Sequence, residues 1–207
     1  MIINLVPHHE SSHKFQTKNP LAMYALAPAG VSFESQEKGE KIILLLRAHI
    51  ITLVPNVLEI IFLIFLPLVV PAVLRALGIN LFETAAARQV FWIYVAWYLF
   101  VFGFTFYKFI FWYFNVYLLT NERIVDFDFR GILHKETSYA NLNQVQDVSP
   151  KVIGFFGTFF HYGNIFVQTA AAKPEFEFHH VARPDNVAKE ILEQVRLEAG
   201  EPPGVVA

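Results

Sequence analysis

The chain has 207 residues, of which 55% are hydrophobic and only 16% charged, with a net charge of −2. An average soluble domain carries about 25% charged residues, so this composition excludes a disordered protein, a basic nucleic-acid-binding tail and a coiled coil. There is no cysteine, which excludes disulfides, thiolate metal sites and a cysteine nucleophile.

Residues 1–40 mix Pro, Gly, Ser and His without periodicity and are expected to form a flexible tail. Met1 to Phe15 has no basic segment followed by an apolar one, so it does not read as a cleaved signal peptide. Lys41 to His49 is an apolar stretch between cations and is expected to lie along a membrane interface.

Two long apolar runs follow, at about 50–74 and 89–112. Each reaches the roughly 20 apolar residues that a membrane-spanning helix needs. Together they predict a two-helix transmembrane hairpin over 41–113. Trp92, Tyr94, Trp97 and Tyr98 near one end of the second run, and Tyr107, Trp112 and Tyr113 near the other, are expected as aromatic belts at headgroup depth. Pro67 and Pro71 each remove a backbone donor and predict a bend in the first helix. Asn56 and Glu59 share a face near its start. They read either as a functional polar pair inside the membrane or as interfacial residues that are solvated or paired. Lys38, Lys41 and Arg47 precede the first run and Lys108, Arg123 and Arg130 follow the second, against Arg75 and Arg88 in the connection. That balance predicts a multi-pass protein of the inner (plasma) membrane with both termini cytoplasmic.

After Phe114 the pattern changes to alternation. Asn115 to Phe129 reads as two strands with a turn at Asn121-Glu122, and three further strands are expected at Ile132–Ala140, Asn141–Ser149 and Asn164–Thr169. Ala170 to Pro174 reads as a turn, Phe176–Val181 as a sixth strand, and Val187–Arg196 as a helix with one apolar face. Residues 114–197 then make one small domain, and 198–207, with two Gly and two Pro, a disordered end.

The run Tyr117-Leu-Leu-Thr-Asn-Glu-Arg123, then Gly131, then Asn143-Gln-Val-Gln-Asp-Val148, then Gly154, Gly157 and Gly163 ahead of Ile165-Phe-Val167, has a recognisable order. It resembles the bacterial pleckstrin-homology-like (bPH) domain of YdbS-type membrane proteins, in which paired membrane helices also precede the domain. The resemblance covers about residues 40–196. It implies a membrane α-helical hairpin joined to a mainly β, PH-like split barrel capped by a C-terminal helix. It carries over no catalytic residues.

The residues themselves point the same way. Pleckstrin-homology domains elsewhere hold inositol phosphates through clustered cations at the first hairpin, where this chain offers only Arg123, and Phe114 to Arg196 carries eight cationic against ten acidic residues. A polyanion site is therefore not expected. The eight histidines show no metal-ligand spacing, and adjacent His179 and His180 are expected on opposite faces of a strand. No nucleophile–base motif or phosphate-binding loop occurs, so no enzyme and no cofactor is expected. Phe155, Phe156, Phe159, Phe160 and Tyr162 surround the glycines after Pro150. They are either core rings between turns, or a contact surface that meets a membrane or partner. The expected function is a non-catalytic binding or assembly module on a membrane anchor, with the lipid bilayer and a protein partner or second copy as its contacts, and no nucleic acid. The rivals are a membrane enzyme or transporter subunit using Asn56, Glu59 and Arg47 at the inner interface, and a lipid-sensing domain.

Overall fold

The computed structural model describes residues 19, 21–28, 30–79, 87–131, 134–170 and 175–200. The expected tail to Lys18 (with His8, His9 and His13), the turn at 171–174 and the end from residue 201 lie outside them. The chain divides into two units, Ile50–Trp112 and the remainder, Met1–His49 with Tyr113–Ala207.

The first of these is a helical hairpin. A 3-10 turn at Ile50–Leu53 leads into α1 (Val54–Ala76), and α2 (Ala87–Phe114) returns. Both apolar stretches, of 27 and 28 residues, are long and apolar enough to cross a membrane. In an α-helix each N–H bonds to the carbonyl four residues earlier. Pro67 and Pro71 have no N–H, which frees the carbonyls of Leu63 and Pro67. The second helix supplies both missing donors. Trp97 Nε1–H donates to Leu63 O at 2.9 Å, and the Tyr94 hydroxyl donates to Pro67 O at 2.8 Å. The Tyr98 hydroxyl donates to Ile64 O at 3.3 Å. Three rings expected at a headgroup belt thus turn their polar ends to the backbone of α1.

Among its described residues the other unit contains eight strands and two α-helices. They are β1 (Tyr24–Leu26), β2 (Ile42–Arg47), β3 (Val116–Thr120), β4 (Arg123–Gly131), β5 (His134–Asn141), β6 (Val145–Lys151), α3 (Gly154–Phe160), β7 (Tyr162–Thr169), β8 (Glu175–Ala182) and α4 (Pro184–Glu198). One antiparallel sheet runs in the order β1-β2-β3-β4-β5 and a second in the order β6-β7-β8. They do not close into the barrel that the resemblance implied. A single bridge, Ala48 to Val181, and the hydrogen bond from His49 N to His180 O at 2.7 Å join them at one edge. Between the sheets lies the main core, with Leu44, Leu46, Leu119 and Ile124 from the first and Ile165, Val167, Phe176 and Phe178 from the second. Val187, Ala188 and Ile191 of α4 complete it, the face that helical spacing picked out.

The segment expected along a membrane interface is instead β2. It pairs with β1 on one side and β3 on the other. Leu44 and Leu46 enter the main core, while Leu45 enters a second cluster with Ala25, Leu118 and Val125, packed against Phe33. A strand buried on both faces loses its alternation and reads as a continuous apolar run. This unit therefore takes its first two strands from before the hairpin, and does not begin at Phe114. The supposed tail contributes β1 and the Phe33 segment. Arg47 pairs with Val116 at the last register position of β2 and β3, so the helical hairpin stands where a β-turn would join two neighbouring strands.

Candidate functional site

Four places bear on function, and the sequence singles out residues at all but the second. The first is α3, read from sequence as turns between glycines. It is a seven-residue helix, GFFGTFF. Its inner side is Gly157, where a Cβ would come within 3.1 Å of the Tyr162 carbonyl and 3.3 Å of Val152 Cγ1. That close approach presses the helix onto its neighbours and turns the rings outward. Phe155, Phe156 and Phe159 are 76%, 62% and 65% exposed, beside exposed Ile153. Phe155 stacks on Phe159 and Phe156 on Phe160, with ring centroids 6.0 and 6.5 Å apart. These rings are not core. Tyr162 differs from them. It is half-buried in β7, and its ring stacks on His49 at 5.4 Å.

Behind α3 opens a cleft of about 1050 Å3, which the sequence did not signal. Its walls are Ala22–Tyr24, His49, the α3 residues Gly157, Thr158 and Phe160, and Arg183–Asn186 at the start of α4. Four separated segments build it, so no local motif could announce it. Burial pushes the His49 imidazole below the usual histidine range and the Tyr24 phenol above its own. Both are neutral hydrogen-bonding groups at neutral pH. Arg183 has a left-handed φ of 53° and donates its N–H to His161 O at 2.8 Å, which turns the chain from β8 into α4. His179 and His180 lie at a bulge in the β7–β8 pairing, and His180 has a φ of 53°. The expected alternation fails there, and both imidazoles are exposed with centroids 6.3 Å apart. Among the described residues, no group of three or more His, Asp and Glu could hold a metal ion.

The third place is the β3–β4 turn, where the sequence offered Arg123 as the one cation. Its guanidinium is already occupied. Nε donates to Glu40 Oε1 at 3.0 Å and an Nη to Glu40 Oε2 at 2.9 Å, while the same Nη donates to Ser35 O at 2.7 Å. It also lies over the Phe33 and Tyr139 rings. The rest of the motif has equally structural work. Thr120 Oγ1 accepts the N–H groups of Glu122 and Arg123, and Asn121 Oδ1 accepts the Lys41 N–H. The Tyr117 ring stacks on Phe178 across the sheets, and burial pushes its phenol up to about 12.

In the hairpin unit, Glu59 of α1 meets Lys108 of α2 at 3.8 Å, and its side chain is half exposed. Of the two readings, this is the paired one. Asn56 is half-buried one turn earlier. Arg47 belongs to the other unit, where Nε donates to Tyr113 O at 2.9 Å and Nη1 to Ala22 O at 3.1 Å. Two of the three residues of the enzyme rival, Glu59 and Arg47, therefore have partners of their own in different units.

Two antiparallel sheets around one core, with a C-terminal helix packed on them, define a PH-like domain. The sequence profile described as the bacterial PH domain matches residues 42–195, a range that includes the hairpin. The chain belongs to the bacterial PH domain family. Among solved structures it is similar to a DUF1696 family protein with a pleckstrin-homology domain from Shewanella loihica PV-4. That similarity is 15% identity and a TM-score of 0.31, covering 39% of this chain and 69% of that one. No curated protein matches the chain.

Proposed function

We propose that this chain is a non-catalytic, membrane-anchored binding or assembly module of the YdbS type. Its hairpin crosses the inner membrane, and its bacterial PH domain stands on the cytoplasmic side and engages a protein partner or a second copy of the chain. The observation that carries this reading is the insertion of two apolar helices between β2 and β3, which pair with each other. Strands that pair must lie on the same side of a bilayer, and two spans return the chain to the side it left. A single span would not. The basic flanks favour the cytoplasm as that side. The α3 crown of Phe155, Phe156, Phe159 and Phe160 is the exposed apolar surface of the domain, and such patches mark contact sites. The end strands β1, β5, β6 and β8 offer edges to which a partner strand could add.

The test uses single cysteines, unique in a chain that has none. In sealed inner-membrane vesicles, Leu77→Cys at the far end of α1 and Glu193→Cys on α4 should react with an impermeant maleimide from opposite sides. The chain should resist alkaline carbonate extraction. Labelling from one side, or release by carbonate, overturns the anchor. Crosslinking in native membranes that recovers only monomer overturns the assembly role.

A further inference from the structure

We propose that α3 seats Phe155, Phe156 and Phe159 in the surface of a lipid bilayer, a third membrane contact beside the two helices of the hairpin. The inference rests on the anchored reading above. Three features of the domain argue for it.

The rings cannot retreat. Gly157 holds the inner side of α3 within a few ångströms of the Tyr162 carbonyl, and all three rings are more than half exposed. The surface has no polar specificity. Residues 152–162 contain no Asp or Glu, Lys151 and His161 flank the helix, and the Thr158 hydroxyl is bonded back to Gly154 O at 3.1 Å. A protein interface surrounds its apolar centre with a polar rim that fixes register. An acid-free aromatic crown flanked by the Lys151 cation suits an interfacial lipid layer, where rings settle at headgroup depth without a directional partner. Position decides between the two. Tyr162, two residues beyond α3, stacks on His49, and Phe160 lines the same cleft as His49. His49 is the last residue of this unit before the apolar stretch begins at Ile50, with no linker between. Thus α3 stands beside His49, the residue from which the chain enters the apolar stretch.

The experiment keeps the full chain, reconstituted in vesicles of phosphatidylcholine and phosphatidylglycerol. Phe156→Cys and Phe159→Cys each carry an environment-sensitive fluorophore, with Glu193→Cys on α4 as the aqueous control. The rings are exposed, so these exchanges leave the core intact. The expected result is blue-shifted emission at 156 and 159, quenched severalfold more by nitroxide lipids than the label at 193. Equal access of all three labels to aqueous iodide, in chain that resists carbonate, overturns the α3 contact while leaving the anchor standing. Protection from iodide without nitroxide quenching assigns α3 to a protein contact and also overturns it. Extraction of the chain by carbonate overturns the anchored reading itself.

Discussion

At the scale of single residues, the most consequential contact joins Glu40 and Arg123. The Glu40 carboxylate is buried, and its two oxygens accept the forked guanidinium while Oε2 also accepts the Glu37 N–H at 2.9 Å. Burial alone would raise its pKa, but the hydrogen bonds from Arg123 and Glu37 outweigh burial and hold it below the usual carboxylate range. A carboxyl whose folded pKa is depressed contributes stability that is complete above its unfolded pKa, about 4.3, and is lost as pH falls through the folded value. Hydrogen-exchange protection of the β2, β3 and β4 amides should therefore hold at neutral pH and fall below about pH 4.3. Glu40→Gln should lower that protection by about 2 kcal/mol at neutral pH, since it removes the charge of the nearer carboxylate and leaves the half-buried guanidinium with Glu37 at 3.7 Å. It should also flatten the acid dependence. The Arg123 end of this pair was visible in sequence as part of a motif. Glu40 was not, because it lies 83 residues earlier in a segment without periodicity, where nothing local marks a buried carboxylate.

At the scale of elements, the hairpin is held by a substitution of donors. Prolines at 67 and 71 would leave two carbonyls bare, and in the bilayer of the proposed anchor no water could pair with them. Trp97 and Tyr94 fill those two sites from the neighbouring helix. Trp97→Phe keeps a ring and removes only the N–H, and should cost the hairpin about 1 kcal/mol of resistance to SDS unfolding. In a Pro67→Ala background the backbone N–H at 67 returns to Leu63 O, so the same exchange should cost much less. A double-mutant cycle measures the difference, and simple additivity would contradict the pairing. The strands from β3 onward and α4 were legible because each buries one face and alternates, or repeats at helical spacing. Three elements escaped for identifiable reasons, the first being β1, only three residues long in a segment without periodicity. In β2, Leu44, Leu45 and Leu46 are all buried, on opposite faces, which erases the alternation. In α3, four Phe and two Gly in seven residues leave no polar face to distinguish a surface helix from a core loop.

At the scale of the whole chain, the bacterial PH domain is discontinuous. Its β2 precedes the hairpin, and β3 follows α2 after one residue, Asn115. A fragment of residues 114–197 lacks β1 and β2 and should not fold, because the buried faces of Leu118 and Leu119 lose their neighbours. Replacing residues 50–112 by a short Gly-Ser linker should give a soluble, folded domain. The two cut ends are close, since Arg47 Nε lies 2.9 Å from Tyr113 O. Dispersed amide resonances from the linked chain and collapsed ones from the fragment are the expected spectra. The candidate surface on α3 shows the same limit of a sequence reading. The residues were visible, but their exposure depends on Gly157 meeting Tyr162, a contact that only the folded chain makes.

The position of the hairpin between paired strands also sets a timetable for synthesis. β1 and β2 leave the ribosome first, and their partner β3 is not made until both apolar helices have been translated. During that interval β2 has only the three-residue β1 to pair with, and the wait adds the closure of a long loop to the formation of the central sheet. Its three buried leucines lack their core neighbours from β3 onward throughout, a hazard for a half-paired nascent strand. On the anchored reading proposed above, insertion of the hairpin would end the wait by bringing the two strand ends back to one side together, and the membrane would be the device that closes the loop.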